Sequence, residues 1–399
     1  MDFELTPDIE AYCRQIRAFV DKRVLPLESD PANFDEHESL VGGVLEPLRE
    51  QAKAEGLWSL QVSKSRGGRE LSTVGMAACY EEMGRSLHAP AVFNSHAPDD
   101  GNMMLLDKVA TETQKDKWLQ PIVDGKLFSA FAMTEPKPGS GSDPGGAMLT
   151  RAVDRGGRWE ISGRKWFITG AEVAEHFIVV ARTSDDPRKG LTAFLFHRDQ
   201  PGWRIERRIE TMGPDEHGGH CELVFDGLTI PDEDRLMDVG DGLKVTQIRL
   251  GTARLTHCMR WLGLAKRCLE IAQAYIHDRV AFDQTLQDHE GVQWMMGQAA
   301  LDIQIGRLLT MHAAWKLDQG DFARKEVSMA KIVVADVLHK AADTAIQLNG
   351  ARGFSKDTVL ESIYRYARSA RLVDGASEVH KMVLARTLAK EGADFWSWG

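Results

Sequence analysis

The sequence predicts an α+β multidomain fold, with helices at both ends of the chain and strands between them, on three grounds. The length of 399 residues exceeds an ordinary single domain, so two or three units sharing a large core are expected. Apolar residues recur at helical spacing near both ends, while the middle carries short strand-like runs bounded by Gly, Pro and Asp. Past Asp241 the helical period persists through three long stripes with short connections, which implies an antiparallel bundle. These changes of period place an N-terminal helical domain at 1–125, a middle β domain at 126–238 and a C-terminal helical bundle at 239–399.

Thr6 followed by Pro7 opens the first helix, and Ile9, Tyr12, Ile16, Phe19 and Val20 repeat at helical spacing up to Pro26. Further helical patterns run through 45–55, 74–84 and 113–123. EHFIVVAR, GLTAFLFHR, GWRIERR and ELVFDGLTI read as strands. The bundle stripes are Leu255, Met259, Leu262, Ala265, Leu269, Ala272 and Ile276, then Val292 to Leu317, then Val327 to Leu348, all read as core.

A net charge of −10 and a pI near 5.8 oppose a general nucleic-acid binder, which needs a basic face. No run approaches the roughly 18 apolar residues of a membrane span, and the acidic start MDFELTPDIE has neither a signal-peptide nor an Arg-rich transit pattern. A cytoplasmic protein is expected. Cys13, Cys79, Cys221, Cys258 and Cys268 lack CxxC spacing and are expected to be reduced and buried. His217 to His220 (HGGH) has no supporting metal ligand at a suitable spacing and reads as a turn or substrate-side loop. No GxGxxG follows a strand, so a Rossmann nicotinamide site is not supported.

The run FAMTEPKPGSGSD, Phe131 to Asp143, ends an apolar strand in a turn dense with hydroxyls, glycines and backbone donors, and reads as a cofactor seat. TEP followed closely by GSD resembles the flavin-binding signature of acyl-CoA dehydrogenases. RKWFITGA (Arg164 to Ala171) resembles that family's second flavin segment, QLNGARGF (Gln347 to Phe354) its dimer-contact loop, and RYARSARLVDGASEVHK (Arg365 to Lys381) its catalytic loop. The resemblance implies a barrel-like or sandwich β domain, a C-terminal four-helix bundle, and FAD held between them and by a neighbouring subunit. A narrower resemblance lies in APDDGNM, HGGH, the run from Gly251 to Ala265, and LVDGASEVH, which look like the branch with kinase-like fusions and an aspartate in a DG-x-x-EVH loop. Chemistry on a phosphorylated substrate would then depend on a separate protein.

Removing hydrogens from the α and β carbons of an acyl thioester needs a base, donors for the developing enolate-like oxygen and a hydride acceptor; only the last is beyond protein side chains. The resemblance puts the base at Asp374, where most of the family carries Glu, in an apolar pocket expected to raise its pKa. Aspartate is one methylene shorter, about 1.5 Å of reach. Ala253, ahead of Arg254, leaves the family's other base position vacant.

The same resemblance carries Met133, Thr134, Phe167 and Thr169 to the flavin ring, Phe131 to the cofactor site beside them, and Ser142 to the phosphate or CoA side. KPGSGSD is longer than the usual GAGSD, a departure that bears on Ser142. Arg279, Phe282, His289, Glu290, Gln347, Gly350, Ala351 and Gly353 match flavin contacts made across subunits, and Ser377 and Glu378 match adenosine-side positions. Arg254 and Gly375 fall on the substrate side. Arg352 stands where the family has a small or amide residue. The implied activity is conversion of an acyl-CoA to a trans-2-enoyl-CoA, with electrons passed to an electron-transferring flavoprotein, in a homodimer or homotetramer. A nitroalkane-oxidase-like or monooxygenase-like flavoenzyme and a non-catalytic flavin-binding scaffold are the alternatives. Oxygen uptake without acyl-CoA would mark the former, and indifference to Asp374→Asn the latter.

Overall fold

The computed structural model describes residues 4–146 and 148–397. Its first helix, Pro7–Phe19, starts at the expected Thr6-Pro7 step and buries Ile9, Ile16 and Phe19. Helices Gly42–Ala54 and Thr73–Met83 fall on the patterned segments, and 113–123 forms a run of short helical turns. The helix Asp99–Val109 has no counterpart among the expected ones. Its buried residues include Asp99, Asp100 and Asn102, so polarity hides its inward face.

The middle of the chain is one eight-stranded sheet. Its strands are β1 (Phe128–Ala132), β2 (Arg151–Asp154), β3 (Arg158–Thr169), β4 (Ala174–Arg182), β5 (Leu191–His197), β6 (Trp203–Arg208), β7 (His220–Pro231) and β8 (Arg235–Leu236). They run in the order β6-β7-β3-β2-β4-β5-β8, with β1 parallel beside β4. Strand β2 escapes a pattern search because it is four residues long and mostly exposed. One face packs around Trp159, Phe177, Phe194, Phe196 and Phe225, with Phe177 and Phe196 stacked at 4.8 Å.

The bundle consists of Gly242–Asp278, Glu290–Asp318, Arg324–Asn349 and the C-terminal pair Leu360–Ser369 and Ser377–Glu391. Two features differ from the expected single stripes. Gly242–Asp278 is buried on nearly every side between Ala253 and Ala265, because it touches the N-terminal helices as well as its bundle partners. A Cβ on Gly263 would lie 2.1 Å from the carbonyl oxygen of Glu81, and one on Gly84 would lie 2.2 Å from that of Arg260, so this crossing admits only glycine. Glu290–Asp318 has a second apolar stripe, exposed, through Trp294, Leu301, Ile305, Leu308 and Trp315. Cys13 also departs from expectation: it is half-buried at the edge of the first helix, while Cys79, Cys221, Cys258 and Cys268 are buried, and all five are free. Among the described residues no helix is long and apolar enough to cross a membrane.

Candidate active site

The loop after Leu360–Ser369 carries Asp374 and Gly375, both with left-handed backbone, at φ +51° and +99°. For an aspartate this conformation is costly and persists only where its surroundings hold it. Arg254 does so, donating from Nε to the Asp374 carbonyl at 2.8 Å. A Cβ on Gly375 would lie 3.2 Å from Nε2 of His380, so the turn has little room for another residue.

The Asp374 side chain is 17 % exposed and faces the Gly242–Asp278 helix. Nε2 of His257 lies 3.3 Å from Oδ2, and Nη1 of Arg249 lies 3.8 Å from Oδ1. The Arg249 contact is too long for a hydrogen bond and the His257 contact is not one, and Oδ2 is buried with no hydrogen-bond partner. Burial pushes the carboxyl pKa up, but His257, Arg249 and Arg254 more than offset it and hold the group well below the usual carboxylate range. This corrects the expectation of a raised pKa: two arginines and a histidine, rather than apolar side chains alone, surround the expected base position. Burial takes His380 on the other side down to about 4, so its imidazole is neutral at pH 7.

Arg249 links this loop to the segment expected to seat the cofactor. Its guanidinium lies 5.0 Å from the Phe131 ring, and it reaches Asn102 Oδ1 at 3.3 Å and the Pro98 carbonyl at 3.4 Å. The APDDGNM segment is therefore structural support. Asp99 accepts from the backbone and hydroxyl of Ser129 in β1, at 2.7 and 2.5 Å, and Asp100 pairs with Arg260 at 2.5 Å.

In the seat itself, β3 shifts register against β7 between Lys165 and Ile168, and Phe167 is thrown outward there with φ +51° and 44 % exposure. Thr169 Oγ1 meets Nδ1 of His220 at 3.1 Å, so HGGH belongs to the turn beside the seat. Among the described residues no cluster of His, Cys, Asp or Glu could hold a metal. The Thr134 carbonyl accepts from Trp166 at 3.0 Å, tying the end of β1 to β3. Met133 points into the core, and its carbonyl accepts from Lys165 Nζ at 2.8 Å.

Glu135 accepts from Lys165 at 3.0 Å and from the backbones of Leu149 and Thr150 at 2.7 and 2.8 Å, closing the 136–150 loop. Gly139 fits against Glu135 only without a Cβ. Burial opposes the Glu135 charge, but Lys165 and the backbone donors hold its pKa below the ordinary value; burial brings Lys165 down to about 8. At pH 7 both are charged. Ser142 lies exposed on the loop.

The remaining residues gather elsewhere. Arg279 caps the Gly242–Asp278 helix and leads into a hairpin, Val280–Ala281 with Gln284–Thr285, whose turn residues Phe282 and Asp283 both have positive φ. Phe282 is 91 % exposed. His289 braces the hairpin through the Ala281 carbonyl at 3.0 Å, and Glu290 begins the next helix, exposed. Gln347, Gly350 and Ala351 are exposed and Gly353 is buried; Arg352 reaches back over the Tyr275 ring at 5.9 Å. Ser377 is buried and Glu378 exposed, beside the base loop.

Asp374, Gly375 and Arg254 are thus brought together, and Arg249, His257 and His380, which sequence reasoning missed, join them. The available signal was THCMRW, where a histidine and an arginine interrupt a run otherwise buried as core.

Family models for the acyl-CoA dehydrogenase N-terminal, middle and C-terminal domains match residues 6–126, 130–228 and 240–389. The probable acyl-CoA dehydrogenase FadE2 of Mycobacterium tuberculosis is 36 % identical over 99 % of both chains. Acyl-CoA dehydrogenase family member 11 of Gallus gallus is 37 % identical over 93 % of this chain, which spans only 49 % of that protein. A putative acyl-CoA dehydrogenase from Mycobacterium abscessus superposes with a TM-score of 0.90 at 35 % identity, covering 98 % of this chain and 100 % of that one. An FAD complex of PigA superposes with a TM-score of 0.87 at 25 % identity, covering 98 % and 100 %. With models spanning all three of its parts and relatives matching along its whole length, the chain belongs to the acyl-CoA dehydrogenase family of oxidoreductases and has that family's flavin-dehydrogenase fold.

Proposed function

We propose that the protein catalyses FAD-dependent α,β-dehydrogenation of a fatty acyl-CoA to a trans-2-enoyl-CoA, with Asp374 as the base for the α-proton. The observation that carries this reading is a carboxylate held in a strained turn against Arg249, Arg254 and His257, one cation–π contact away from Phe131 of the cofactor seat. The residues fit a flavin and a thioester. Phe167 offers an exposed ring at a bulge, while Ser377 Oγ and His380 Nε2 are buried without a protein partner and suit a polar ligand. Bound FAD supplies the hydride acceptor that side chains lack.

Asp374 takes the α-proton, and its backbone N–H, in the loop clamped by Arg254, is the donor for the thioester oxygen. An acyl chain laid over the carboxylate excludes water and raises its pKa toward that of a working base, against the cations that lower it in the free chain. Electrons leave to an electron-transferring flavoprotein. The working form is a homodimer or homotetramer in which a second copy covers the hairpin and the exposed stripe; Trp294 on that stripe is 68 % exposed and Phe354 is 82 % exposed.

Anaerobic titration with acyl-CoAs of increasing length and branching should bleach the flavin band for one substrate class. Asp374→Asn should leave flavin bound and slow bleaching on the order of 10²- to 10⁴-fold. A spectrum that no acyl-CoA bleaches, or an Asn variant that bleaches at the original rate, would refute the reading.

A further inference from the structure

We infer that His257 is a positioning residue for the proton transfer, using its Nε2–H to fix Oδ2 of Asp374 so that Oδ1 alone is offered to the substrate's α-hydrogen. The inference rests on Asp374 being the base and adds the group that decides which of its oxygens acts.

The imidazole is itself held from two sides. Its ring stacks on Trp261, with centroids 5.0 Å apart and planes at 23°. Nη2 of Arg260 sits 3.5 Å from Nδ1. A guanidinium only donates, so Nδ1 presents its lone pair and the ring hydrogen lies on Nε2, the nitrogen 3.3 Å from Oδ2. Arg260 cannot turn away, because it donates to Asp100 Oδ2 at 2.5 Å and to the Ser95 carbonyl at 2.7 Å, and all of these groups are buried. Asp100 and Arg260 thus form a fixed pair from the Asp99–Val109 helix that holds His257 facing the Asp374 loop. The remaining charged and titratable groups facing Asp374 are Arg249 and Arg254 on the same helix as His257, Lys331 on Arg324–Asn349 and His380 on Ser377–Glu391. Arg249 faces Oδ1, whereas His257 faces Oδ2.

The 3.3 Å contact is loose in the free chain, and such contacts tighten once substrate is enclosed. In the step itself the α-carbon–hydrogen bond breaks, the proton bonds to Oδ1, and the electron pair left on carbon conjugates with the thioester carbonyl. His257 keeps the same proton throughout. Its contribution is aim, since an unanchored aspartate at the tip of a left-handed turn can rotate either oxygen, or neither, toward the substrate.

Two variants of the flavin-loaded full chain separate positioning from packing. In His257→Gln the amide nitrogen overlies Nε2 and still donates to Oδ2; in His257→Asn it overlies Nδ1 and falls short. The Gln variant should keep kcat within about threefold, whereas the Asn variant should lose about ten- to a hundredfold in kcat with KM little changed. In the Asn variant the acid limb of kcat should also move up by about one pH unit, because a donor that favours the ionised base is gone. Equal kcat in the two variants, or an acid limb that stays in place, would overturn the inference. If the Asn variant does not retain flavin, His257→Leu serves the same comparison. Asp374→Asn isolates the underlying reading: its retention of turnover would sink the base assignment, while its inactivity beside two unimpaired His257 variants would sink only the role of His257.

Discussion

The two ends of the site are built differently. At the base loop and the β1–β3 seat, charged and strained groups are closed by their own chain: Asp374 by Arg254 and Arg249, Glu135 by Lys165 and the 149–150 backbone. At the hairpin and the 350–354 loop, large apolar side chains stand in solvent, Phe282 and Phe354 foremost, and Phe282 holds a left-handed backbone at a two-residue turn that favours Asn or Gly. A single chain closes the charged end by itself and leaves the apolar end open.

The largest effect is expected at the closed end. Glu135→Ala strands Lys165, which is fully buried, and removes the acceptor of the Leu149 and Thr150 amides. A cost of about 3–5 kcal/mol follows from an uncompensated buried charge. Denaturant unfolding followed by tryptophan fluorescence should show it equally at low and high protein concentration. A loss below about 1 kcal/mol, or one that vanishes on concentrating the protein, would mean the seat is not closed by its own chain.

The open end should behave in the opposite way. Phe282→Asn suits the left-handed turn better, so the isolated chain should be as stable as before or gain up to about 1 kcal/mol. If a second copy buries Phe282, the same change removes about 1.5–3 kcal/mol of apolar burial. Sedimentation velocity across a dilution series should then show a dissociation constant raised about ten- to a hundredfold, with flavin retention falling in parallel. Unchanged association would break the comparison.

The fold was legible where periodicity is undiluted. The first helix, strands β4 to β7 and the three long bundle helices all follow from the spacing of apolar residues. It was illegible where a buried face is polar, as in Asp99–Val109, or where an apolar face stays outside, as in the Trp294 to Trp315 stripe. A hydropathy pattern reads both of these backwards. Around the site, Asp374, Gly375 and Arg254 were reachable from a motif because they lie within short signatures. His257 lies in the same run as Arg254, but its role, like that of Arg249, depends on a contact with the carboxylate that only folding makes. The sign of the Asp374 shift failed for the same reason: the motif shows the apolar neighbours Leu372 and Val373 and hides the cations opposite.

Asp99 offers the smallest and most selective test of the closed end. It is fully buried, its Oδ1 pins Ser129 of β1, and its Oδ2, 3.4 Å from Nε2 of His96, accepts no aligned hydrogen bond. Burial raises its pKa to about 7, against the opposing bonds from Ser129. A carboxyl whose folded pKa lies above its unfolded value binds more protons when folded, so its contribution to stability is full below about pH 4 and is lost as pH rises through 7. Asp99→Asn keeps the acceptor for Ser129 and removes the ionisation. The variant should therefore gain about 1–2 kcal/mol over the parent between pH 5 and pH 8, visible as diverging thermal midpoints. Since His96 and the other neighbouring histidines remain in both proteins, the difference between the two pH curves isolates Asp99. Parallel curves would mean that this carboxyl is already ionised at pH 5 and that β1 is held by a charge rather than by a neutral acid.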